Sequence, residues 1–286
     1  MKLTIDFLKY HGCGNDFIIV DEIEREVIPE SYKGLAAIKM CKRRFSVGAD
    51  DLLDLVPSSS ADAWMRIFEP DGSEADMCGN GIRCVAAYLC EKLGRDEVLI
   101  ETRAGLKEIV RENGLYRVNM GRLYKKYGEQ REFINYSFND EDELINIKMD
   151  FPILGKINLS IVNIGEPHAV IFVNDVDKED LEKYGEAIAK NRKIFPKGIS
   201  VNLVQVIDNE TIKVRTYERG VWGETLACGT GSTASAAVAY LLGKISNRNV
   251  KVKVKGGELR IIVNEDQLYM IGPAEKVFTG KIVIDI

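Results

Sequence analysis

The sequence predicts a mixed α/β fold built from two related halves, and three observations lead there. Short apolar runs of strand type recur along the whole chain, while helical patterning is confined to four segments. Two segments 150 positions apart, CGNG at 78–81 and CGTG at 228–231, each precede an alanine-rich helical run and then further strands. A chain of 286 residues is also long for one simple core, so two domains with a large apolar interior are expected.

The runs LTIDFL and DFIIVD open the chain as strands, helical spacing follows over 33–43, and WMRIFE is again a strand. The helix predicted over 79–93 starts at the first Cys-Gly segment. After it come EVLIET and LYRVNM, with Asn113-Gly114 placed where a tight hairpin turn belongs. The charged and aromatic stretch GRLYKKYGEQREF is the candidate crossing into the second half. There INLSIVNI and AVIFVND are strands, and a helix is expected over 175–190 with Asp175 as its cap. ISVNLVQV and TIKVRTYE lead to the helix over 229–244, and VKVKVKG, ELRIIVN and KIVIDI close the chain, with a turn at Gly256-Gly257. Such turns make much of the sheet antiparallel.

Apolar residues at 45%, charged residues at 29% and only 7 Pro give a globular profile with no disordered tail. A formal charge of −5 without a basic patch offers nucleic acid no footing. Asp6 and Lys9 interrupt what would be the apolar part of a signal peptide, and no run approaches the length of a membrane span. The chain therefore reads as cytoplasmic, without a membrane partner, and its six cysteines as reduced thiols.

Position gives two of those thiols meaning. Cys78 and Cys228 each stand directly before a helix start carrying two glycines, at a cost of about 1 kcal/mol per glycine against alanine. A helix start offers unpaired N–H groups and partial positive charge, which bind an anion and favour thiolate over thiol. One such unit can equally be a glycine-eased helix start with a small buried cysteine. Two of them, facing each other, could hold one carboxylate and place thiols on opposite sides of the adjacent carbon. Cys84 and Cys90 fall on other faces of the first helix, and Cys13 and Cys41 read as small buried or half-buried residues. With no C-x-x-C and only His11 and His168 in the chain, no metal site is expected.

Together KYHGCGNDFIIVD, PDGSEADMCGNGIRC, GEPHAV and YERGVWGETLACGTG, in this order, resemble the diaminopimelate epimerase family of cofactor-independent epimerases. The resemblance implies two pseudo-symmetric α/β domains, each a mostly antiparallel, β-barrel-like sheet around a central helix, with the active site in the cleft between them. Their expected extents are 1–122 plus 274–286 and 123–273. It further implies epimerisation of LL-2,6-diaminopimelate to the meso form, toward lysine and a cell-wall precursor, without pyridoxal phosphate and in a homodimer.

In this family's terms Cys78 and Cys228 are the acid–base pair, and Gly79, Asn80, Gly229 and Thr230 cradle the α-carboxylate. Asn15 and Asn202 match substrate-binding positions. His168 and Glu218 match residues that assist the thiols, and Arg219 one that grips the distal carboxylate. Glu69 in FEPDGS and Glu166 in GEPH stand where the family commonly has asparagine, Asp51 replaces a frequent glutamine, and Trp222 lengthens its loop. An added carboxylate favours an ammonium and repels a carboxylate unless Arg219 or another cation compensates, which keeps open a same-fold racemase of another amino acid such as histidine or proline. A regulatory disulfide protein is the rival of a different class. Nucleotide binding lacks its motifs, since CGNGIRC has no G-x-G-x-x-G and CGTGSTA no phosphate-loop lysine.

Overall fold

The computed structural model describes residues 2–286. The chain divides into two compact units, residues 1–119 with 271–286 and residues 120–270. In the first unit, β1 (Lys2–Gly12) and β2 (Asn15–Asp21) form a hairpin, followed by α1 (Lys33–Met40), β3 (Asp51–Val56), β4 (Ala63–Phe68) and the two-residue β5 (Glu74–Ala75). Then come α2 (Gly79–Leu93), β6 (Glu97–Thr102), β7 (Gly105–Glu112) and β8 (Leu115–Gly121), within which the chain leaves the unit.

The second unit contains β9 (Ile147–Phe151), β10 (Gly155–Asn163), β11 (Pro167–Phe172), the short α3 (Leu181–Tyr184), β12 (Ser200–Val206), β13 (Thr211–Glu218) and β14 (Gly223–Glu224). It continues with α4 (Gly229–Leu241), β15 (Asn249–Val254) and β16 (Gly257–Val263). The chain returns within β17 (Leu268–Gly272) and ends in β18 (Glu275–Asp285).

The pairing pattern repeats. β1–β2 is antiparallel, β2–β3 parallel, β3–β4 antiparallel, β4–β6 parallel and β6–β7 antiparallel. In the second unit β10–β11, β11–β12, β12–β13, β13–β15 and β15–β16 run through the same alternation. Strands β1, β2, β6, β7 and β18 contact α2, and β10 to β13, β15 and β16 contact α4, so each helix is the centre of its own sheet. That position explains why α2 is buried over most of its circumference and why α4 is built from Gly, Ser, Thr and Ala. This is the expected α/β class of mostly antiparallel sheets around central helices.

The helices expected over 33–43 and 229–244 end three residues early, at Met40 and Leu241, and sequence expectations and structure also differ at two other places. The helix expected over 175–190 begins only at Leu181, capped by Asp180, whose side chain accepts from Lys183 N at 3.2 Å, and continues as a π turn over Gly185–Ala189. Asp175 instead accepts from Asp177 N at 3.1 Å, because this stretch is spent on seating Val176, fully buried, in the core of the second unit. The turn expected at Gly256-Gly257 lies one residue earlier, at Lys255-Gly256, since Val254 pairs with Gly257. The Asn113-Gly114 turn is as expected: Glu112 pairs with Leu115, and both turn residues have positive φ, 52° and 77°.

A charged cluster lies in the first unit's interior. The ammonium of Lys33, at the start of α1, is bonded to both Glu22 and Asp54, all three being essentially inaccessible to solvent. Glu22 also accepts the N–H groups of Val27 and Ile28. Removing the cation alone leaves two carboxylates buried together, so Lys33→Met is expected to cost about 3 kcal/mol in urea unfolding. The triple replacement of Glu22, Lys33 and Asp54 by apolar residues of similar volume should recover most of that loss.

Candidate active site

Each unit uses the same local device to present a cysteine. A hairpin ends in a two-residue strand, the chain turns, and the cysteine becomes the cap of the central helix. In the first unit Phe68 pairs with Glu74, and Arg66 clamps the hairpin through Nε–Oε1 and Nη2–Oε2 bonds to Glu74 of 2.8 and 3.0 Å. In the second, Tyr217 pairs with Glu224, and Arg215 holds Glu224 by the same two bonds at 2.8 and 3.2 Å.

Both caps have extended backbone, φ/ψ −136°/113° at Cys78 and −115°/114° at Cys228. Each Sγ accepts the N–H of the glycine three residues on, Gly81 or Gly231, at 3.3 Å. The two helix starts therefore have sulfur where serine or aspartate commonly caps.

The carbonyls of Gly79 and Gly229 are satisfied at equivalent positions by different chemistry: Arg83 Nη1 donates to the first at 3.1 Å, Thr233 Oγ1 to the second at 2.8 Å. The glycines differ as well. A Cβ on Gly231 would lie 2.4 Å from Asn202 Oδ1 and 3.2 Å from both Cys228 Sγ and Thr216 Oγ1. One on Gly81 would meet nothing nearer than a Leu53 methyl at 3.3 Å.

In the first unit Cys13 and Gly14, both at positive φ, make the two-residue turn that starts β2 at Asn15. Asn15 Oδ1 lies 3.9 Å from Cys78 Sγ and accepts Asn80 Nδ2 at 3.1 Å. Asn80 Oδ1 in turn accepts Arg83 Nη2 at 3.0 Å. Arg83 is wholly buried, and its Nε reaches the carbonyl of Pro273 at 3.2 Å. Glu69 lies in the β4–β5 loop, where it accepts Ser73 Oγ at 2.8 Å.

The second unit gathers the other residues singled out in the sequence. Asn202 is fully buried, accepting Thr216 Oγ1 at 2.9 Å and facing His168 Nδ1 with its Nδ2 at 3.1 Å. An amide nitrogen only donates, so Nδ1 is the acceptor and the ring proton of neutral His168 sits on Nε2, which is buried without a protein partner. Burial, and secondarily the charge of Arg219, push His168 down to about 3, so a proton-accepting imidazole is disfavoured here. Glu218 Oε2 accepts Thr225 Oγ1 at 2.8 Å.

Arg219 is held by Glu166, with Nε–Oε2 at 2.9 Å and Nη2–Oε1 at 2.7 Å. The compensating cation that Glu166 needs is thus supplied within the chain. The expectation that a helix start lowers the thiol pKa fails at Cys228. Burial first, then the charge of Glu218, push this thiol well above its ordinary value, and the hydrogen bonds of Thr230 and Gly231 pull back only in part.

The structure collects Asn15, Cys78, Gly79 and Asn80 in one unit and Glu166, His168, Asn202, Glu218, Arg219, Cys228, Gly229 and Thr230 in the other. Arg83, Asp50, Thr216 and Thr225 are parts of these networks that were not singled out from sequence. Arg83 lies inside the CGNGIRC motif, where an arginine five residues into a helix with no other charge before Glu91 was the available signal.

Duplicated α/β units, each with a central helix, define a fold class that solved structures share. A Bacillus anthracis phenazine biosynthesis protein of the PhzF family superposes with a TM-score of 0.68 at 20% identity, covering 98% of this chain and 99% of that one. A hydroxyproline epimerase from Agrobacterium vitis also gives 0.68, at 15% identity and coverages of 99% and 93%. At these identities the likeness is one of fold. The diaminopimelate epimerase family model matches residues 7–126 and 160–277, and the chain belongs to that family. A diaminopimelate epimerase of Methanocella arvoryzae is 46% identical over 290 residues, covering 98% of both chains. One of Methanocaldococcus jannaschii is 38% identical over 293 residues, with coverages of 98% and 99%.

Proposed function

We propose that this protein is a diaminopimelate epimerase that interconverts the LL and meso isomers by two-thiol proton transfer. The observation that carries the reading is the matched pair of cysteine caps, each sulfur 3.3 Å from a glycine N–H, in a chain of this family. One cysteine, as thiolate, removes the α-proton. The electron pair moves into the α-carboxylate, whose developing charge is met by the N–H groups at Gly79-Asn80 and Gly229-Thr230. The other cysteine, as thiol, delivers its proton to the opposite face.

Within this scheme Glu218 and the N–H of His168 Nε2 adjust the acid–base balance of Cys228, while Asn15, Glu69, Asn202 and Arg219 orient the substrate and Glu166 acts on it through its hold on Arg219. No pyridoxal phosphate takes part. The enzyme works on a free amino acid in the cytoplasm, as a homodimer, and its product serves lysine synthesis.

The test is incubation of the reduced protein with LL-diaminopimelate in D2O. Deuterium at the α-carbon together with the meso isomer is the expected result; folded protein that does neither would sink the proposal. Because Glu166 already occupies Arg219, a distal carboxylate has to compete with it. Glu166→Gln is therefore expected to lower KM for diaminopimelate about tenfold with kcat little changed. If KM instead rises, Glu166 binds the distal ammonium directly, and substrates with a distal cation alone become the ones to assay.

A further inference from the structure

Asp50 lies just before β3 and is not among the residues assigned to the reaction above, yet its side chain is wired to one that is. Its Oδ2 accepts Asn15 Nδ2 at 2.7 Å and the backbone N–H of Asp16 at 3.1 Å, and its Oδ1 accepts Arg43 Nη2 at 2.7 Å. Arg43 also grips Asp16, which forms an ion pair with Lys9 at 2.5 Å, and the backbone N–H of Asp50 donates to Asp16 O at 2.8 Å. The carboxylate is therefore fixed from several sides.

Its chemistry decides which way Asn15 points. An ionised carboxylate only accepts hydrogen bonds, so the NH2 end of Asn15 must face it and the carbonyl end must face away, toward Cys78 Sγ. At the other end Arg83 only donates, which forces the carbonyl of Asn80 toward the guanidinium and its NH2 toward Asn15. The result is a one-way series of hydrogen bonds, Arg83 to Asn80 to Asn15 to Asp50, with a pure donor at one end and a pure acceptor at the other.

We propose that Asp50 is a positioning residue that, by accepting from Asn15, holds the Asn15 carbonyl against the Cys78 thiol. Without that anchor only the Asn80 Nδ2 contact opposes a turn of the amide that offers N–H instead of C=O to the sulfur. A carbonyl accepts from a thiol and repels a thiolate, whereas an N–H favours a thiolate, so Asp50 keeps Cys78 ready to deliver a proton.

The proposal rests on the reading of Cys78 as one of the two proton-transfer groups, but its main test needs no substrate. The rate of iodoacetamide alkylation at Cys78, resolved by peptide mass spectrometry of the full-length protein, is followed against pH. Asp50→Ala is expected to lower the midpoint of this profile by about one pH unit. Asp50→Asn, which keeps an acceptor for Asn15, should return it to the parent value. Arg83, whose charge also bears on Cys78, is untouched in each variant.

The proposal is overturned if Asp50→Ala leaves the midpoint in place, or if Asp50→Asn shifts it as far as Asp50→Ala does. Should Asp50→Ala fail to fold, Asp50→Glu keeps the charge but displaces the acceptor, and it is expected to move the midpoint in the same direction; no movement overturns the proposal equally. In turnover, Asp50→Ala should lose about tenfold in kcat. A parent protein inactive toward diaminopimelate would sink the function while the alkylation profiles still decide the role of Asp50.

Discussion

Cys78→Ala and Cys228→Ala are each expected to lower epimerisation by at least about 10³-fold while leaving the fold intact. In the proposed mechanism neither sulfur substitutes for the other, because each is held by its own helix start and is assigned one face of the α-carbon. The residual chemistry should also be asymmetric. With one thiol left, the isomer whose α-proton points at it can still exchange with D2O, whereas inversion requires the missing partner. NMR of both isomers separately, with each variant, reads this directly. If a single-cysteine variant inverts at the parent rate, the two-thiol mechanism is wrong.

Gly231→Ala should be nearly as damaging, with kcat reduced by about 10³-fold, although it removes no reactive atom. The added methyl would have to sit 2.4 Å from Asn202 Oδ1, and Asn202 cannot retreat, since it is fully buried between Thr216 and His168. The strain falls instead on Cys228 and on the N–H groups that follow it. Gly81→Ala is the control: its methyl meets the Leu53 methyls at 3.3 and 3.4 Å and Cys78 Cβ at 3.4 Å, none of them as close as Asn202 Oδ1, so the loss should be at least about tenfold smaller. Equal losses in the two variants would show that glycine matters for helix geometry alone, not for room beside Asn202.

The parts of this molecule that were legible in its sequence are those that local chemistry dictates. The start of α2 at Gly79, the capping cysteines and the Asn113-Gly114 turn follow from residues within a few positions of one another. Contacts between distant residues were not legible. Glu166 and Arg219 are 53 positions apart: the sequence offered Arg219 as one cation able to compensate, but nothing local says that the two side chains meet. Asn15 and Asp50 are 35 apart, and only the parallel pairing of β2 with β3 brings them into reach. Burial was equally hidden. The helix-start field at Cys228 was read correctly in kind, but desolvation, a property of the finished fold, outweighs it.

The pairing of β1 with β18, Lys2 opposite Asp285, sets an order of events during synthesis. A ribosome makes β1 long before β18, so the unit containing Cys78 lacks an edge until β18 has emerged. Arg83 likewise has no Pro273 carbonyl to hold until then. Residues 120–270, by contrast, are one uninterrupted stretch whose sheet and central helix are made before β18. The half that is begun first is therefore finished after the other, and a chain stalled just before β18 would carry the Cys228 module assembled and the Cys78 module open.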